Sequence, residues 1–294
     1  MRSLLFVPAD SDRKLEKSLS SGADVIIVDL EDSVALSAKP EARRIAREFL
    51  QNRAPSAPES RFYVRINDLQ SGLAEADLDA VMPGAPDGIM VPKTESGRDI
   101  QKLHAMLDVR EAEAGLADGV TRIIPVATET AASVFGLGSY AGASERLAGM
   151  TWGAEDLSAD LGAAANRDAA GRFTEPYRLA RNLCLFGAVG ARVAPIDTVF
   201  TAFRDTDGLT EECREAERDG FTAKLAIHPA QVPIINSVFT PSDAAVDRAA
   251  RIVDAFRTAG DAGVIGLDGE MLDRPHLKRA LGTLARAGRT VEDV

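Results

Sequence analysis

The stretch VIIVDLED, residues 25–32, joins a hydrophobic run to a cluster of acids. Its first four residues are aliphatic, which is typical of a parallel strand buried on both faces. Three carboxylates follow at the point where that strand would end. Residues 40–50 then place Ala42, Ile45 and Phe49 on one side at helical spacing. The stretch therefore predicts a strand, an acidic junction and an outer helix.

The same unit of strand and helix recurs along the chain. Eight such repeats are what a closed (β/α)8 barrel requires, whereas an open doubly wound sheet commonly has about six strands and often a glycine-rich phosphate motif. No GxGxxG sequence follows any of the hydrophobic runs. We therefore predict an α/β fold, a (β/α)8 TIM barrel. The predicted strands are residues 3–7, 25–30, 62–66, 88–92, 122–127, 147–152, 191–196 and 223–227.

The chain continues past the eighth predicted strand for longer than a barrel needs. Ser242 is a helix-capping residue, and apolar residues from Val246 to Phe256 follow at helical spacing. A glycine-containing connection over residues 260–269 leads to a second helix that starts near Pro275. The predicted domains are a TIM barrel over residues 1–240 and a C-terminal helical extension or lid over residues 241–294.

Two segments within the predicted barrel carry turn residues. Residues 54–60 contain two prolines and two serines, and residues 136–144 are small and rich in glycine. The first segment is predicted to be a loop, and the second is predicted to be mobile.

The composition excludes several functional classes. With 34 basic and 45 acidic residues the formal net charge is −11, so the average surface repels nucleic acid. The only two cysteines, Cys184 and Cys213, lack metal-ligand spacing and predict no disulfide framework. No apolar stretch approaches the roughly 18 residues of a membrane span. We therefore expect a soluble cytoplasmic protein with neither a nucleic-acid nor a membrane partner.

Ionisable residues follow most of the predicted strands. In a (β/α)8 barrel the chemistry takes place at the carboxyl ends of the strands, so a polar residue just after a hydrophobic run is informative. Charge is concentrated there beyond what solubility requires. The strand-end residues are Asp29, Glu31, Asp32, Arg65, Asn67, Lys93, Glu129, Glu155, Asp156, Asp197 and His228.

Glu129 and Asp156 follow neighbouring predicted strands. Carboxylates that converge on one barrel mouth repel each other unless a cation or a base neutralises them. Oxygen ligands without nearby Cys or His select Mg²⁺ or Mn²⁺ over Zn²⁺. The pair therefore predicts a site for Mg²⁺, with Mn²⁺ as a substitute. For either residue alone, a capped loop or a salt bridge is an equally good interpretation.

Lys93 raises an alternative, because a lysine at a barrel strand end can be the Schiff-base nucleophile of a metal-free aldolase. The surrounding acids disfavour that chemistry, since they keep the amine protonated. Glu31 and Asp32 are predicted to support the site by orienting Arg65 and Lys93, and a local salt bridge is an equally good interpretation. His228 is predicted to be a structural hydrogen-bonding residue rather than a ligand contact.

Nine motifs, which span nearly the whole chain, resemble those of the citrate lyase β-subunit-like and malyl-CoA lyase group of the HpcH/HpaI aldolase superfamily. They also occur in the order that this group shows. The motifs are RSLLFVP (2–8), SGAD (21–24), DLEDSV (29–34), VRIN (64–67), VPKTES (91–96), GAEDLSADLG (153–162), FRD (203–205), IHPAQ (227–231) and LDGEMLDRP (267–275).

The resemblance implies a magnesium-dependent TIM barrel that breaks or makes a carbon–carbon bond between a 2-oxo acid and an acyl-CoA thioester. It also implies a homotrimer or homohexamer. By the pattern of the group, Glu129 and Asp156 are the metal ligands, and Glu129 also contributes to substrate binding. Arg65 binds the substrate and faces the charge that develops during catalysis. Asp273 resembles the proton-transfer residue that is delivered to a neighbouring subunit's site.

The resemblance leaves three activities open. The first is a lyase acting on malyl-CoA, β-methylmalyl-CoA or citryl-CoA. The second is a malyl-CoA thioesterase, in which the same metal site activates water. The third is a citrate lyase subunit that needs partner chains and a carrier-protein thioester.

Overall fold

The structure is a computed structural model that describes residues 1–52, 60–260 and 262–289. Residues 54–59 of the first predicted loop therefore lie outside the described residues. Eight parallel strands occupy the eight predicted positions, with boundaries that differ by a few residues. The strands are β1 (Ser3–Pro8), β2 (Val25–Asp29), β3 (Arg61–Arg65), β4 (Gly88–Val91), β5 (Arg122–Pro125), β6 (Gly149–Thr151), β7 (Ala194–Asp197) and β8 (Ala223–Ala226).

The strands close into a barrel. Their order is β5-β4-β3-β2-β1-β8-β7-β6, so β5 and β6 are the two ends of the hydrogen-bonded sheet. Parallel bridges between Ile123 and Leu147 and between Val126 and Thr151 join these ends. The amide of Ala148 also donates a hydrogen bond to the Ile123 carbonyl at 2.9 Å. The predicted (β/α)8 fold is therefore confirmed.

Alternate residues of the strands fill the barrel interior, as the two-residue period of a strand requires. Leu4, Ile27, Ile124 and Ile196 are fully buried in this cluster. Tyr63 also points inward, and a Cβ atom on residue 88 would lie 2.2 Å from its ring. Gly88 therefore makes room for the largest side chain of the interior.

Helices cover the outside of the barrel with their apolar faces. Ala42, Ile45, Ala46 and Leu50 are the buried apolar residues of the helix predicted over residues 40–50. No helix in the described part of the chain has both the length and the apolar character needed to cross a membrane. The α-helices up to residue 239 are α1 (Asp12–Ser18), α2 (Lys39–Gln51), α3 (Ala74–Val81), α4 (Gly97–Ala114), α5 (Ser133–Gly136), α6 (Ala154–Asp160), α7 (Glu175–Gly190), α8 (Thr206–Asp219) and α9 (Val232–Phe239).

The segment predicted to be mobile, residues 136–144, contains regular structure. A 3₁₀ helix, Leu137–Tyr140, follows α5 directly, and the Tyr140 side chain is fully buried. Only glycine fits at position 136, because a Cβ atom there would lie 1.9 Å from the Glu95 carbonyl oxygen. The glycine therefore permits close packing of two segments, which composition alone does not distinguish from mobility.

The chain divides into two compact units, Met1–Asn236 and Ser237–Val294. The second unit contains α10 (Asp243–Thr258) and α11 (Arg274–Arg286), whose facing sides bury Val253, Phe256 and Leu284. The helix expected after Ser242 is present, and the Ser242 hydroxyl accepts a hydrogen bond from the Ala245 amide. The use of this unit as a lid stays a prediction.

The connection predicted over residues 260–269 is not simply a loop. An antiparallel hairpin of β9 (Val264–Leu267) and β10 (Glu270–Asp273) begins within it. Asp268 and Gly269 form the turn, with φ angles of 53° and 80°. An Asp-Gly pair with both residues at positive φ is the preferred two-residue hairpin turn, so the sequence itself contains the signal for this hairpin.

A buried ion pair stabilises the barrel beside the start of β6. Arg146 and Glu111 are each about 1% exposed, and the two Nη atoms of Arg146 donate to the two carboxylate oxygens at 2.8 and 2.7 Å. Burial alone would raise the pKa of Glu111, but hydrogen bonds from Arg146 and Thr121 outweigh it and lower the pKa to about 2. Folding therefore gains from the ionised form of Glu111.

We predict that Glu111→Gln destabilises the protein by about 3 kcal/mol at pH 7, because Arg146 loses its principal charge partner. The difference should shrink as the pH falls from about 4.5 towards 2, since the wild-type carboxyl is then protonated as well. Urea unfolding at several pH values measures it. Glu113→Gln, at an exposed position of the same helix, is the control. An equal effect of both substitutions, or a difference independent of pH, would contradict this account.

Candidate active site

A cavity of about 420 Å³ opens at the carboxyl ends of the barrel strands. Part of its wall is apolar, and a few charged groups converge on it, as is typical of small-molecule sites. Of the predicted site residues, the structure places Asp32, Arg65, Glu129 and Asp156 in its lining. The apolar wall includes Phe6, Val126, Trp152, Val199 and Ile227.

Glu129 is buried, with 5% of its surface exposed. The Lys93 amide donates a hydrogen bond to its Oε2 atom at 2.5 Å. Lys93 has a φ of 52°, a left-handed conformation that non-glycine residues adopt at a cost in energy. Gly153 lies against the other side, where a Cβ atom would be 2.7 Å from Glu129 Cγ. The Lys93 amide therefore holds this carboxyl group, and Gly153 leaves room for its side chain.

The pKa of Glu129 is raised to about 8. Burial is the main cause, and the negative charge of Asp156 raises the pKa further. The hydrogen bond from the Lys93 amide lowers it only in part. Without a nearby cation, Glu129 is therefore mostly protonated at neutral pH.

Asp156 lies in the first turn of α6, directly after β6. Its side chain is 34% exposed, and its Oδ1 atom is 3.4 Å from the Lys93 ammonium group. Asp156 and Glu129 both line the cavity, and the negative charge of Asp156 raises the pKa of Glu129. Two mutually repelling acids, one buried and one accessible, have the charge and donor atoms that a hard divalent cation requires.

A second group of acids shows how clustered carboxylates can be stabilised by an arginine instead of a metal ion. Asp108, Glu111 and Asp118 lie close enough together to hold a cation. The Arg146 guanidinium contacts all three of these carboxylates, so an internal cation already pairs with them. Glu129 has no comparable side-chain partner among the hydrogen bonds of the described residues.

Arg65 is held rigidly at the end of β3. Its Nε and Nη2 atoms each donate to the Asp29 carboxylate at 2.7 Å. The guanidinium carbon lies 4.7 Å from the centre of the Phe6 ring. Burial alone would raise the pKa of Asp29, but the charge of Arg65 outweighs it and lowers the pKa. Asp29 thus orients Arg65; the sequence places both residues at strand ends but carries no signal for this pairing.

Glu31 bridges the two basic residues of the site, and its predicted supporting role stays a prediction. Its Oε1 atom accepts a hydrogen bond from the Lys93 ammonium group, and its Oε2 atom lies 2.8 Å from Arg65 Nη1. Asp32 is 58% exposed and lies 3.9 Å from both basic groups, so it acts at longer range.

Burial alone would lower the pKa of Lys93, but the hydrogen bond and charge of Glu31 outweigh it and raise the pKa. An amine held in its protonated form is a poor nucleophile. The environment of Lys93 therefore disfavours the Schiff-base alternative.

Three of the other strand-end residues do not line the cavity. Asn67 donates to the Asp77 carboxylate at 2.7 Å and is buried. Asp197, fully buried, accepts hydrogen bonds from Lys224 at 2.6 Å and from Trp152 Nε1 at 2.8 Å. Asp197 therefore supports the indole that forms part of the cavity wall. His228 accepts a hydrogen bond from the Ala230 amide, which is the structural role predicted for it.

Asp273 belongs to the second unit, whereas the cavity lining comes from the first unit alone. It precedes α11 and forms a hydrogen bond with His276, which lowers the pKa of Asp273. Its predicted role in proton transfer stays a prediction.

The fold and the site define a class of protein: a TIM barrel with an acidic, partly apolar cavity at its mouth. Comparison with known proteins identifies that class more closely. The family described as HpcH/HpaI aldolase/citrate lyase matches residues 2–229. The chain therefore belongs to this enzyme family, and the resemblance noted in its motifs is confirmed.

Similar proteins include members with different activities. A (3S)-malyl-CoA thioesterase of Cereibacter sphaeroides is 35% identical, and the alignment covers 97% of this chain and 94% of the relative. The citrate lyase subunit beta of Leuconostoc mesenteroides subsp. cremoris is 32% identical, with coverage of 99% and 95%. The crystal structure of CitE from Mycobacterium tuberculosis with magnesium, acetoacetate and coenzyme A has a TM-score of 0.77, 32% identity and 98% coverage of both chains.

We predict that Glu129→Gln stabilises the protein at alkaline pH when EDTA removes divalent cations. A raised carboxyl pKa means that the folded state binds the proton more tightly than the unfolded chain, so stability falls as the pH rises from 4.5 to about 8. Glutamine cannot ionise and avoids that loss, which amounts to about 4 kcal/mol. Urea unfolding at pH 5 and pH 9 measures the effect.

Glu155→Gln, an exposed carboxyl at the same mouth, is the control and should show no comparable gain. The account would be contradicted if the difference in unfolding free energy between Glu129→Gln and the wild type were the same at pH 5 and pH 9. The substitution would then not remove a buried negative charge.

Proposed function

We propose that this protein is a Mg²⁺-dependent carbon–carbon lyase. Its substrate would be the CoA thioester of a hydroxy acid, such as malyl-CoA, β-methylmalyl-CoA or citryl-CoA, and its products an acyl-CoA and a 2-oxo acid. The observation that carries the proposal is the carboxylate pair of Glu129 and Asp156 beside Arg65 in one cavity. The magnesium, acetoacetate and coenzyme A in the similar CitE structure support it.

Glu129 and Asp156 would hold the Mg²⁺ ion, with Mn²⁺ as a substitute. Mg²⁺ is usually bound through one or two carboxylates, and its other ligands come from water or substrate. When bound, the ion would neutralise the repulsion between the carboxylates and lower the pKa of the substrate's hydroxyl group. Metal binding would therefore convert Glu129 to its ionised form.

Arg65 would stabilise the other end of the reaction. When the carbon–carbon bond breaks, its electrons move onto the thioester oxygen and form an enolate. A guanidinium fixed near that oxygen stabilises the developing charge, and one such donor is worth about 3 kcal/mol. Because Asp29 already holds Arg65 in place, little reorganisation is needed at the moment of reaction.

Asp273 would move the proton at the enolate carbon. The interaction with His276 lowers the pKa of Asp273 and so favours the ionised carboxylate, which suits removal of a proton from the acyl-CoA methyl group in the condensing direction. The same group returns the proton in the cleaving direction. We propose that Asp273 acts in a neighbouring subunit's site within a cytoplasmic homotrimer or homohexamer.

A thioesterase is the second candidate, because a relative with that activity is 35% identical over 97% of this chain. The two reactions differ in their products. We predict that malyl-CoA and Mg²⁺ give glyoxylate and acetyl-CoA in equal amounts. Malate and free CoA without glyoxylate would establish the thioesterase instead. A chain inactive on free CoA thioesters would favour a citrate lyase subunit that needs partner chains.

We predict that Gly153→Ala lowers the affinity for Mg²⁺ at least tenfold while the barrel stays folded. The added Cβ atom would lie 2.7 Å from Glu129 Cγ and 3.2 Å from its Oε1 atom, so the carboxyl group must move. Calorimetric titration with Mg²⁺ measures the affinity, and circular dichroism checks the fold. Gly190→Ala is the matched control, since a Cβ atom there meets nothing within 4 Å. Unchanged Mg²⁺ affinity in the Gly153 variant would remove Glu129 from the ligand set.

A further inference from the structure

The side chains that line the cavity divide into a charged half and an uncharged half. Strands β7, β8 and β1 are consecutive neighbours in the barrel, and the lining residues on or directly after them carry no charge. The charged lining residues all lie on or shortly after β2, β3, β5 and β6. The uncharged half consists of Phe6, Pro8, Thr198, Val199, Leu225 and Ile227.

The uncharged half is mostly apolar and partly accessible from the cavity. Ile227 is 40% exposed, and Phe6 and Val199 are half-buried. Thr198 contributes a hydroxyl group but is only 2% exposed. A ligand group that contacts this half would therefore be stabilised by apolar burial rather than by charge.

The charged half has a surplus of negative charge. Its lining contains one cation, Arg65, and five carboxyl groups. The guanidinium group of Arg65 is already paired with Asp29 and Glu31. The carboxyl groups are those of Asp29, Asp32, Glu129, Glu155 and Asp156.

Lys93, at the edge of the cavity, is in the same situation as Arg65. Its ammonium group pairs with Glu31 and lies 3.4 Å from the Asp156 carboxylate. A bound Mg²⁺ ion would add two positive charges, which Glu129 and Asp156 balance. The site therefore has no spare positive charge at Arg65, at Lys93 or at the proposed ion for a second anionic group of the substrate.

We infer that the 2-oxo acid accepted by this site carries a single carboxylate, and that its other substituent is hydrogen or a small alkyl group. The one carboxylate and the oxo oxygen would chelate the ion. A second carboxylate inside the cavity would meet either the uncharged half or the acids, and an unpaired charge is costly to bury.

This inference rests on the proposed function and narrows its substrates. Cleavage of malyl-CoA gives acetyl-CoA and glyoxylate, which has one carboxylate. Cleavage of citryl-CoA gives acetyl-CoA and oxaloacetate, which has two. The charge distribution of the cavity therefore favours malyl-CoA and its alkyl-substituted analogues over citryl-CoA.

The test measures condensation of acetyl-CoA with glyoxylate, pyruvate or oxaloacetate by the full chain in the presence of Mg²⁺. Mass spectrometry distinguishes the three thioester products, so pyruvate formed by decarboxylation of oxaloacetate does not confuse the result. We expect kcat/KM for the better of the two monocarboxylates to exceed that for oxaloacetate by about a hundredfold or more.

Ile227→Lys separates charge from size, because it adds a cation at a partly exposed position of the uncharged half. We expect it to reduce the preference about tenfold, mainly through a lower KM for oxaloacetate. Ile227→Met stays uncharged and should keep the preference. Val109→Lys is the matched control, because Val109 is 55% exposed and lies in the outer helix α4. Val199→Lys repeats the test if circular dichroism shows that Ile227→Lys does not fold.

Two results would overturn the inference while leaving the proposed function intact. One is equal use of oxaloacetate and the monocarboxylates by the wild type. The other is a preference that the folded lysine variant leaves unchanged, which would show that size rather than charge excludes the second carboxylate. Absence of condensation with all three oxo acids would instead refute the proposed lyase activity, and the inference with it.

Discussion

The site depends on burying one carboxyl group, Glu129, beside a second acid. Burial and the charge of Asp156 together raise the pKa of Glu129 to about 8, so the ionised pair is unfavourable by itself. A divalent cation would remove that penalty by neutralising both groups at once. The repulsion between these two carboxylates thus both destabilises the cation-free protein and provides the proposed affinity for a cation.

The surrounding residues hold the charged groups of the site in position. Lys93 adopts a left-handed backbone conformation that aims its amide at Glu129, while its ammonium group pairs with Glu31. Asp29 fixes Arg65 through two hydrogen bonds. Gly153 leaves the space that the Glu129 side chain fills. Backbone geometry and buried ion pairs, rather than mobile loops, therefore position the charged groups.

The positions of the strands were predictable from the sequence, whereas the directions of side chains at the strand ends were less so. Eight aliphatic runs identified the strands, because burial on both faces leaves an unambiguous hydrophobic signal. The position rule for barrels brought Arg65, Glu129 and Asp156 to one cavity, but it also selected Asp197, which instead pairs with Lys224. Side-chain direction at a strand end depends on local backbone, as the positive φ of Lys93 shows, and no spacing rule encodes it.

The central claim is that Glu129 is protonated in the cation-free protein and becomes a Mg²⁺ ligand by losing its proton. Calorimetric titration with Mg²⁺ at pH 7, in buffers of different ionisation enthalpy, counts the protons released per ion bound. With a pKa of about 8, roughly nine tenths of a proton should leave the wild-type protein, and none should leave Glu129→Gln. Tight Mg²⁺ binding by the wild type without proton release would contradict the account.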